Sequence, residues 1–380
     1  MKSGLSGRDK HLRMLLRMLP KRTDRRGFTL IELLVAVLIS GLIVSGLLYL
    51  VVEVLGINQR DSARSDTQRD IQMAMDYITR DLREAFYVYG TEVNGTNPLQ
   101  SCLENIPVAS AATRGANGQC TGLLAYLPEH LRSANNVPVL AFWKPEPLPA
   151  AVGQYCKTNQ DKIGAVTVDT NGNVQPNAIN QIPCVSQRMF TLVVYSLSTD
   201  NPNNTWKGRA RIKRYALPHF AEDFTGETKK PGWVAPIALD DNRPLSWPVG
   251  KNTAGVPVNL QAPVIQNSPT ENIVLTDFVD NKLVSGIPEA ASPISPTPTP
   301  TVNSGYCPYN FEVANFGKFR PEFYACVRKA GINENPEVRV VIRGNAAGRG
   351  GLPYLSGEVP FQMESNVMGR GAYAKERSGS

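Results

Sequence analysis

The sequence predicts an α+β protein: a long amino-terminal helix packed on an antiparallel β-sheet with disulfide-tied loops. Three observations carry that expectation. Across residues 28–52 the only charge is Glu32, and there is no proline. Further on, Ile71, Met75, Ile78, Leu82 and Phe86 recur at spacings of four, three, four and four, which places them on one helical face. Beyond residue 90 the chain breaks into short runs rich in β-branched and aromatic residues.

The apolar run of 25 residues reaches roughly 37 Å as a helix at ~1.5 Å per residue, enough for a bilayer core of ~30 Å. A cleaved secretory signal has a shorter apolar region ending in small residues; this run is longer, and no such site stands at 47–54. An ordinary signal anchor fits the length but leaves Glu32 without a role, because an acid near the end of a membrane helix asks for a partner. No proline falls between Lys21 and Pro98, so one helix is expected from about Phe28 to about Tyr87, softened at Gly41, Gly46 and Gly56. Asp61, Arg64, Arg69, Asp70, Arg80, Asp81 and Arg83 are assigned to its solvated face.

The helix opens with Gly27-Phe28-Thr29-Leu30-Ile31-Glu32-Leu33-Leu34, preceded by Arg25-Arg26. This stretch resembles the processing site of type IV prepilins, shared by pilins and by the pseudopilins of type II secretion systems. The resemblance implies a pilin-like fold and cleavage after Gly27 by a prepilin peptidase. It also implies methylation of the new terminus at Phe28 and an assembly role for Glu32. It divides the chain into a cleaved cytoplasmic leader (1–27), a transmembrane helix (28–52), an amphipathic continuation into the soluble domain (53–89) and an extracytoplasmic β-rich domain (90–380). The implied location is the inner membrane, single-pass, with a periplasmic carboxy-terminal domain that enters a pseudopilus. Other major and minor pseudopilins and an inner-membrane assembly platform are the implied partners. Physically, cleavage creates an ammonium on Phe28, and a neighbour's Glu32 can neutralise it. Two unit charges ~4 Å apart are worth about 1 kcal/mol in water and several times more at lower dielectric, so the pair can set subunit register. Many pilins carry a proline where Tyr49 stands here.

The charge distribution agrees. The chain has 40 basic and 33 acidic residues, net +7; residues 1–27 hold nine basic and two acidic ones, leaving 31 of each sign in the rest. The basic excess is therefore a leader obeying the positive-inside rule and not a nucleic-acid surface. Met14 and Met18 are alternative starts within it.

Strands are expected at 123–127, 137–143, 190–197, 209–216, 272–284 and 338–343. Residues 166–174 read as a hairpin around Asn171-Gly172. Asp169, Asn171 and Asn173 have some look of a calcium loop, but the glycine is misplaced and no bidentate Glu follows. The 29 prolines and 31 glycines make about 16% of the chain against a typical ~12%. Residues 290–302 read as a proline-rich surface loop. Long loops are expected at 91–122, 145–162 and 285–306.

Cys102, Cys120, Cys156, Cys184, Cys307 and Cys326 all follow the apolar run. No C-x-x-C pair occurs and there are three histidines, so neither a zinc site nor another cofactor is expected. An even count on the non-cytoplasmic side argues for disulfides; of fifteen possible connectivities, sequential pairing is the simplest.

No catalytic signature appears. There is no G-x-S-x-G, no H-E-x-x-H, and the glycines of 344–351 lack a following Lys-Ser/Thr. Asp240 and Asp241 read as a solvated turn, and Trp143, Trp206, Trp233 and Trp247 as core residues or, if exposed, sugar-stacking platforms. The element order, with Val193–Leu197 and Arg211–Tyr215 as successive strands and a terminal Phe361-Gln362-Met363-Glu364-Ser365-Asn366-Val367 segment, resembles the J/W group of minor pseudopilins, thought to sit at the fibre tip. The proline-rich, cysteine-bearing layout is also similar to cyanobacterial hormogonium polysaccharide secretion pseudopilins, which implies a role in polysaccharide secretion and gliding motility. Two other readings remain at this point: a tip subunit of a type IV pilus, and a bitopic carbohydrate-binding membrane protein.

Overall fold

The computed structural model describes residues 27–89, 123, 126–131, 135–164, 166–168, 174–176, 182–222, 224, 229–237, 244, 247–252, 254–255, 257–261, 272–281, 307–308, 311–313, 321–328, 335–351 and 360–370. Two compact units divide the chain, Met1–Asn58 and Gln59–Ser380. One helix, α1 (Leu30–Arg83), contributes to both. Its start falls two residues beyond the expected Phe28, and its end falls short of Tyr87, which belongs to a strand.

In the first unit the apolar residues of α1 face outward all round; Phe28 is 85% exposed. The helix is long and apolar enough to cross a membrane. Around Gly41, Gly46 and Gly56 a Cβ would meet nothing within 4 Å.

The second unit is built on a nine-stranded sheet. Its path runs β1 (Tyr87–Val88), β2 (Asn136–Pro147), β5 (Arg188–Ser198), β6 (Ala210–Leu217), β9 (Asn272–Val279), β12 (Glu337–Asn345), β11 (Phe323–Arg328) and β10 (Phe311–Val313), with β13 (Pro360–Met368) on the other side of β12. Each neighbouring pair is antiparallel. β9 and β12 meet only at Val279 and Gly344, so two strand groups join at a narrow seam. Two small hairpins, β3 (Val166–Val168) with β4 (Val174–Pro176) and β7 (Val249–Lys251) with β8 (Pro257–Asn259), lie apart from this sheet.

Alternation along the strands sends side chains to two cores, as a period of two requires. Phe142, Val193, Tyr195 and Leu197 face α1 and pack with Ile71, Met75, Ile78 and Leu82. Ala141, Trp143, Leu192 and Val194 face the other way and pack with Tyr89, Leu127, Trp233 and Trp247. Burial on both faces explains why β2 and β5 read as nearly continuous apolar runs. Pro138, Pro145 and Pro147 are tolerated in β2 because β1 covers only its middle residues. β13 is one-sided: Phe361 and Met363 turn inward, whereas Gln362, Glu364, Asn366 and Met368 are exposed.

Several expectations change. At 123–127 the described residues form turns of 3-10 type, not a strand, and their apolar side chains cap the second core. Within 145–162 the structure has the end of β2 and a helix, α2 (Ala150–Thr158), instead of a long loop. The strand expected to reach 284 ends at Val279, with Asp280 turning onto Arg343. β10, β11, β13 and the β7–β8 hairpin were not anticipated as strands. The hairpin expected at 166–174 is present as β3 and β4.

Cys156 pairs with Cys184 and Cys307 with Cys326, at Cα separations of 5.5 and 5.7 Å. The first closes the β2–β5 insertion over a small core of Val152, Ile182, Met189 and Phe220; a loop of this size is worth ~3 kcal/mol on the chain-entropy model. Cys102 and Cys120 lie outside the described residues, as do the proline-rich segment 290–302, Asp240 and Asp241.

Candidate assembly site

Two acids on α1 organise the polar chemistry of this chain. The first is Glu32. Thr29 precedes the first helical residue, and its backbone N–H donates to Glu32 Oε2 at 3.0 Å while the Glu32 N–H donates to Thr29 Oγ1 at 3.4 Å. This is a reciprocal capping box, T-x-x-E, which satisfies amides that a helix start leaves without intrahelical partners. The Thr29 hydroxyl also donates to Glu32 Oε2 at 3.0 Å. Gly27 and Phe28 lie just before this cap in non-helical conformation. The sequence-predicted processing and assembly residues are thus contiguous at one exposed helix end.

The second acid, Asp81, sits in the last turn of the same helix and is only 4% exposed. This corrects its assignment to the solvated face. An acid is unfavourable at a helix C-terminus, and three strands supply the compensation. Lys144 Nζ of β2 approaches Asp81 Oδ1 at 2.7 Å, Arg214 Nε of β6 donates to Oδ2 at 2.9 Å, and the Tyr195 hydroxyl of β5 donates to Oδ2 at 2.7 Å. Lys144 also holds Glu146 Oε1 at 2.7 Å, and Thr191 donates to Glu146 Oε2 at 2.6 Å. The Arg214 guanidinium lies 5.6 Å from the centre of the Tyr77 ring.

Burial pushes the Asp81 carboxyl up, but Arg214, Lys144 and Tyr195 outweigh it and hold it below the usual carboxylate range. Burial likewise opposes the charge on Lys144 and on Arg214, yet their acidic partners raise both. The Tyr195 hydroxyl is raised by burial and by Asp81. Asp81, Lys144 and Arg214 therefore stay charged, and Tyr195 stays neutral, across the physiological range. Sequence reasoning missed it, although one signal was present: Asp81 lies between Ile78 and Leu82, within reach of the apolar seam.

A second ionic contact fastens the helix further back. Arg349 donates to Asp70 Oδ2 at 2.6 Å and to Thr67 Oγ1 at 3.4 Å. Ala63 packs on Ala346. Gly344 marks a close approach of helix and sheet, since a Cβ there would collide with Ile71 Cδ1 and the Phe361 ring.

Trp143, Trp233 and Trp247 are buried, their indole N–H groups donating to Tyr89 Oη, Phe190 O and Val234 O at 3.0, 2.9 and 2.9 Å. They are core residues, not a sugar-stacking platform. His219 is 5% exposed and stacks on Phe220 and Trp233 at ring separations of 3.8 and 3.6 Å. Among the described residues there is no group of three or more His, Cys, Asp or Glu side chains placed to hold a metal ion.

Residues 22–48 match the prokaryotic N-terminal methylation motif. The match and the long apolar helix together fit one class. That class is the type IV prepilin-like proteins, subunits of a pilus or pseudopilus. Comparison with curated proteins and with solved structures gives no match. The motif implies processing of the prepilin-like chain by prepilin peptidase and assembly with other pilin subunits, and it points to a structural subunit and not an enzyme.

Proposed function

We propose that this prepilin-like chain is a minor pseudopilin that assembles near the tip of a periplasmic pseudopilus in a type II secretion-like system. The observation that carries the reading is the methylation motif at the start of an exposed apolar helix. Residues 1–27 are then a cytoplasmic leader, 28–52 the single membrane span, 53–89 its continuation, and the β-rich remainder a periplasmic domain. Cleavage after Gly27 frees the Phe28 amino group. The Glu32 carboxylate, already oriented by Thr29, is the counter-charge offered to a neighbouring subunit.

The tip position is supported by bulk: the α2 insertion with its own small core and disulfide is difficult to repeat along a shaft. Polysaccharide secretion as the task rests on the likeness of layout to hormogonium pseudopilins. The apolar face of Ile71, Met75, Ile78 and Leu82 is not offered to other subunits, because the chain's own sheet covers it.

Mass spectrometry of the membrane-extracted protein tests the reading. Phe28 should be the amino terminus, with one added methyl group, and Gly27→Val should block cutting. A mature chain beginning at residue 1 overturns it. Quantitative proteomics of sheared fibres should find this chain at low copy; finding it as the dominant subunit overturns the tip position alone.

A further inference from the structure

We infer that the Asp81 cluster is a register lock, which fixes α1 at one axial position and rotation on the sheet, and that Asp81 is a positioning residue for fibre assembly. This deepens the pseudopilin reading and rests on it for its purpose, though not for its geometry.

The seam of α1 does little to choose its own register. Ile71, Met75, Ile78 and Leu82 repeat at nearly one-turn intervals. Sliding the helix by four residues in one direction brings Thr67, Ile71, Ala74 and Ile78 into the same sites, a set that is still mostly apolar. Hydrophobic burial is non-directional and scales with area, so a slipped seam still packs, at the cost of the volume lost where Thr67 and Ala74 replace Ile71 and Ile78. The polar cluster separates the registers sharply. A four-residue slip brings Tyr77 or Ala85 to the place of Asp81. Lys144 and Arg214, whose side chains are 8% and 12% exposed, would then lose the carboxylate that each holds within 3 Å. Slipping by three residues drives Asp81 itself into the apolar site of Ile78.

Buried ion pairs as a class add little to stability over a well-packed apolar replacement, and their best-attested use is to select one register. The composition here suits that use: one acid from the helix is read by cations from two different strands and a hydroxyl from a third. The Arg349–Asp70 contact, eleven residues earlier, pins the same face a second time but is more exposed. A continuous helix transmits an axial pull to its sheet only if it does not slide, and extraction of a subunit into a fibre is such a pull.

The test replaces the cluster as a unit in the full-length, membrane-extracted protein: Asp81→Leu, Lys144→Met, Glu146→Gln, Tyr195→Phe and Arg214→Met together. A lock predicts a melting temperature within a few degrees of the parent, amide exchange at 71–82 at least tenfold faster, and incorporation into sheared fibres reduced about tenfold. Parent-like exchange and incorporation overturn the lock. So does failure of the combined variant to fold, which would make the cluster a source of stability instead. Glu32→Ala in parallel should lose incorporation with unchanged exchange at 71–82. If the parent chain itself is absent from fibres, the assembly reading fails while the exchange result still decides the lock.

Discussion

Glu32 and Asp81 stand near opposite ends of one helix, each an acid among apolar residues, and they meet opposite environments. Glu32 is exposed, and its described hydrogen bonds are to a residue three positions away. Asp81 is buried, and its partners come from 63, 114 and 133 residues further along the chain. The contrast teaches that a polar group in an apolar stretch has two uses. A locally capped, exposed acid stays available to something outside the chain. One surrounded by its own chain's cations is committed to the fold.

Removing each acid should break that contrast most visibly. Asp81→Ala takes from Lys144 and Arg214 the more buried and, for Arg214, the closer of the two carboxylates they share, leaving Glu146, which should cost ~3 kcal/mol of stability. Glu32→Ala should leave the melting of the soluble unit unchanged. Thermal melts of both variants decide the matter, and equal melting would erase the distinction.

Acid titration sharpens it from another side. Burial first, and then Lys229, depresses His219 to about 3, so the unfolded chain, with an ordinary histidine near 6.5, binds a proton that the fold excludes. Stability is therefore fully present above pH ~6.5 and falls as pH drops toward ~3, at up to about 1.4 kcal/mol per pH unit. Asp81, depressed within an ion-pair cluster, makes its contribution at higher pH and loses it only once pH falls below the ordinary carboxylate value of ~3.9. Melts of His219→Phe should lack the slope between pH 6.5 and 4; a slope unchanged in that variant would place it elsewhere.

The glycines of α1 and its seam offer a smaller test. Gly344→Ala pushes a methyl into Ile71 and Phe361 and should destabilise by ~1–3 kcal/mol. Gly46→Ala meets open space and should leave the melt unchanged. Equal effects would mean that the helix is not seated at Gly344.

The smallest effect concerns the cap. Thr29→Val removes the hydroxyl that accepts from the Glu32 N–H and donates to its carboxylate. Amide exchange at 31–33 should rise roughly fivefold, equivalent to a loss of ~1 kcal/mol, with no change at 71–82. Unaltered exchange would show that the helix start is held by something else.

The amino-terminal helix was legible because its information is local. A methylation motif and a proline-free apolar run are each read from neighbouring residues, and so is the amphipathic period that put Ile71, Met75, Ile78 and Leu82 in the core. The central strands β2 and β5 were visible because burial on both faces leaves a nearly continuous apolar run, and β6 and β12 because β-branched and aromatic residues stand among their basic ones. The short β10 and the one-sided β13 gave no such run, β11 was overlooked although Phe323 to Val327 is apolar and buried throughout, and 123–127 looked like a strand because Leu123, Tyr126 and Leu127, which cap a core, have a strand's composition. Asp81 marks the boundary of what sequence alone decides. Helical period placed it one position from Leu82, and only the folding together of β2, β5 and β6 supplied Lys144, Tyr195 and Arg214. A lone carboxylate's desolvation penalty keeps it at the surface, whereas two cations offset that penalty for the buried Asp81; those cations are neighbours in space and not in sequence.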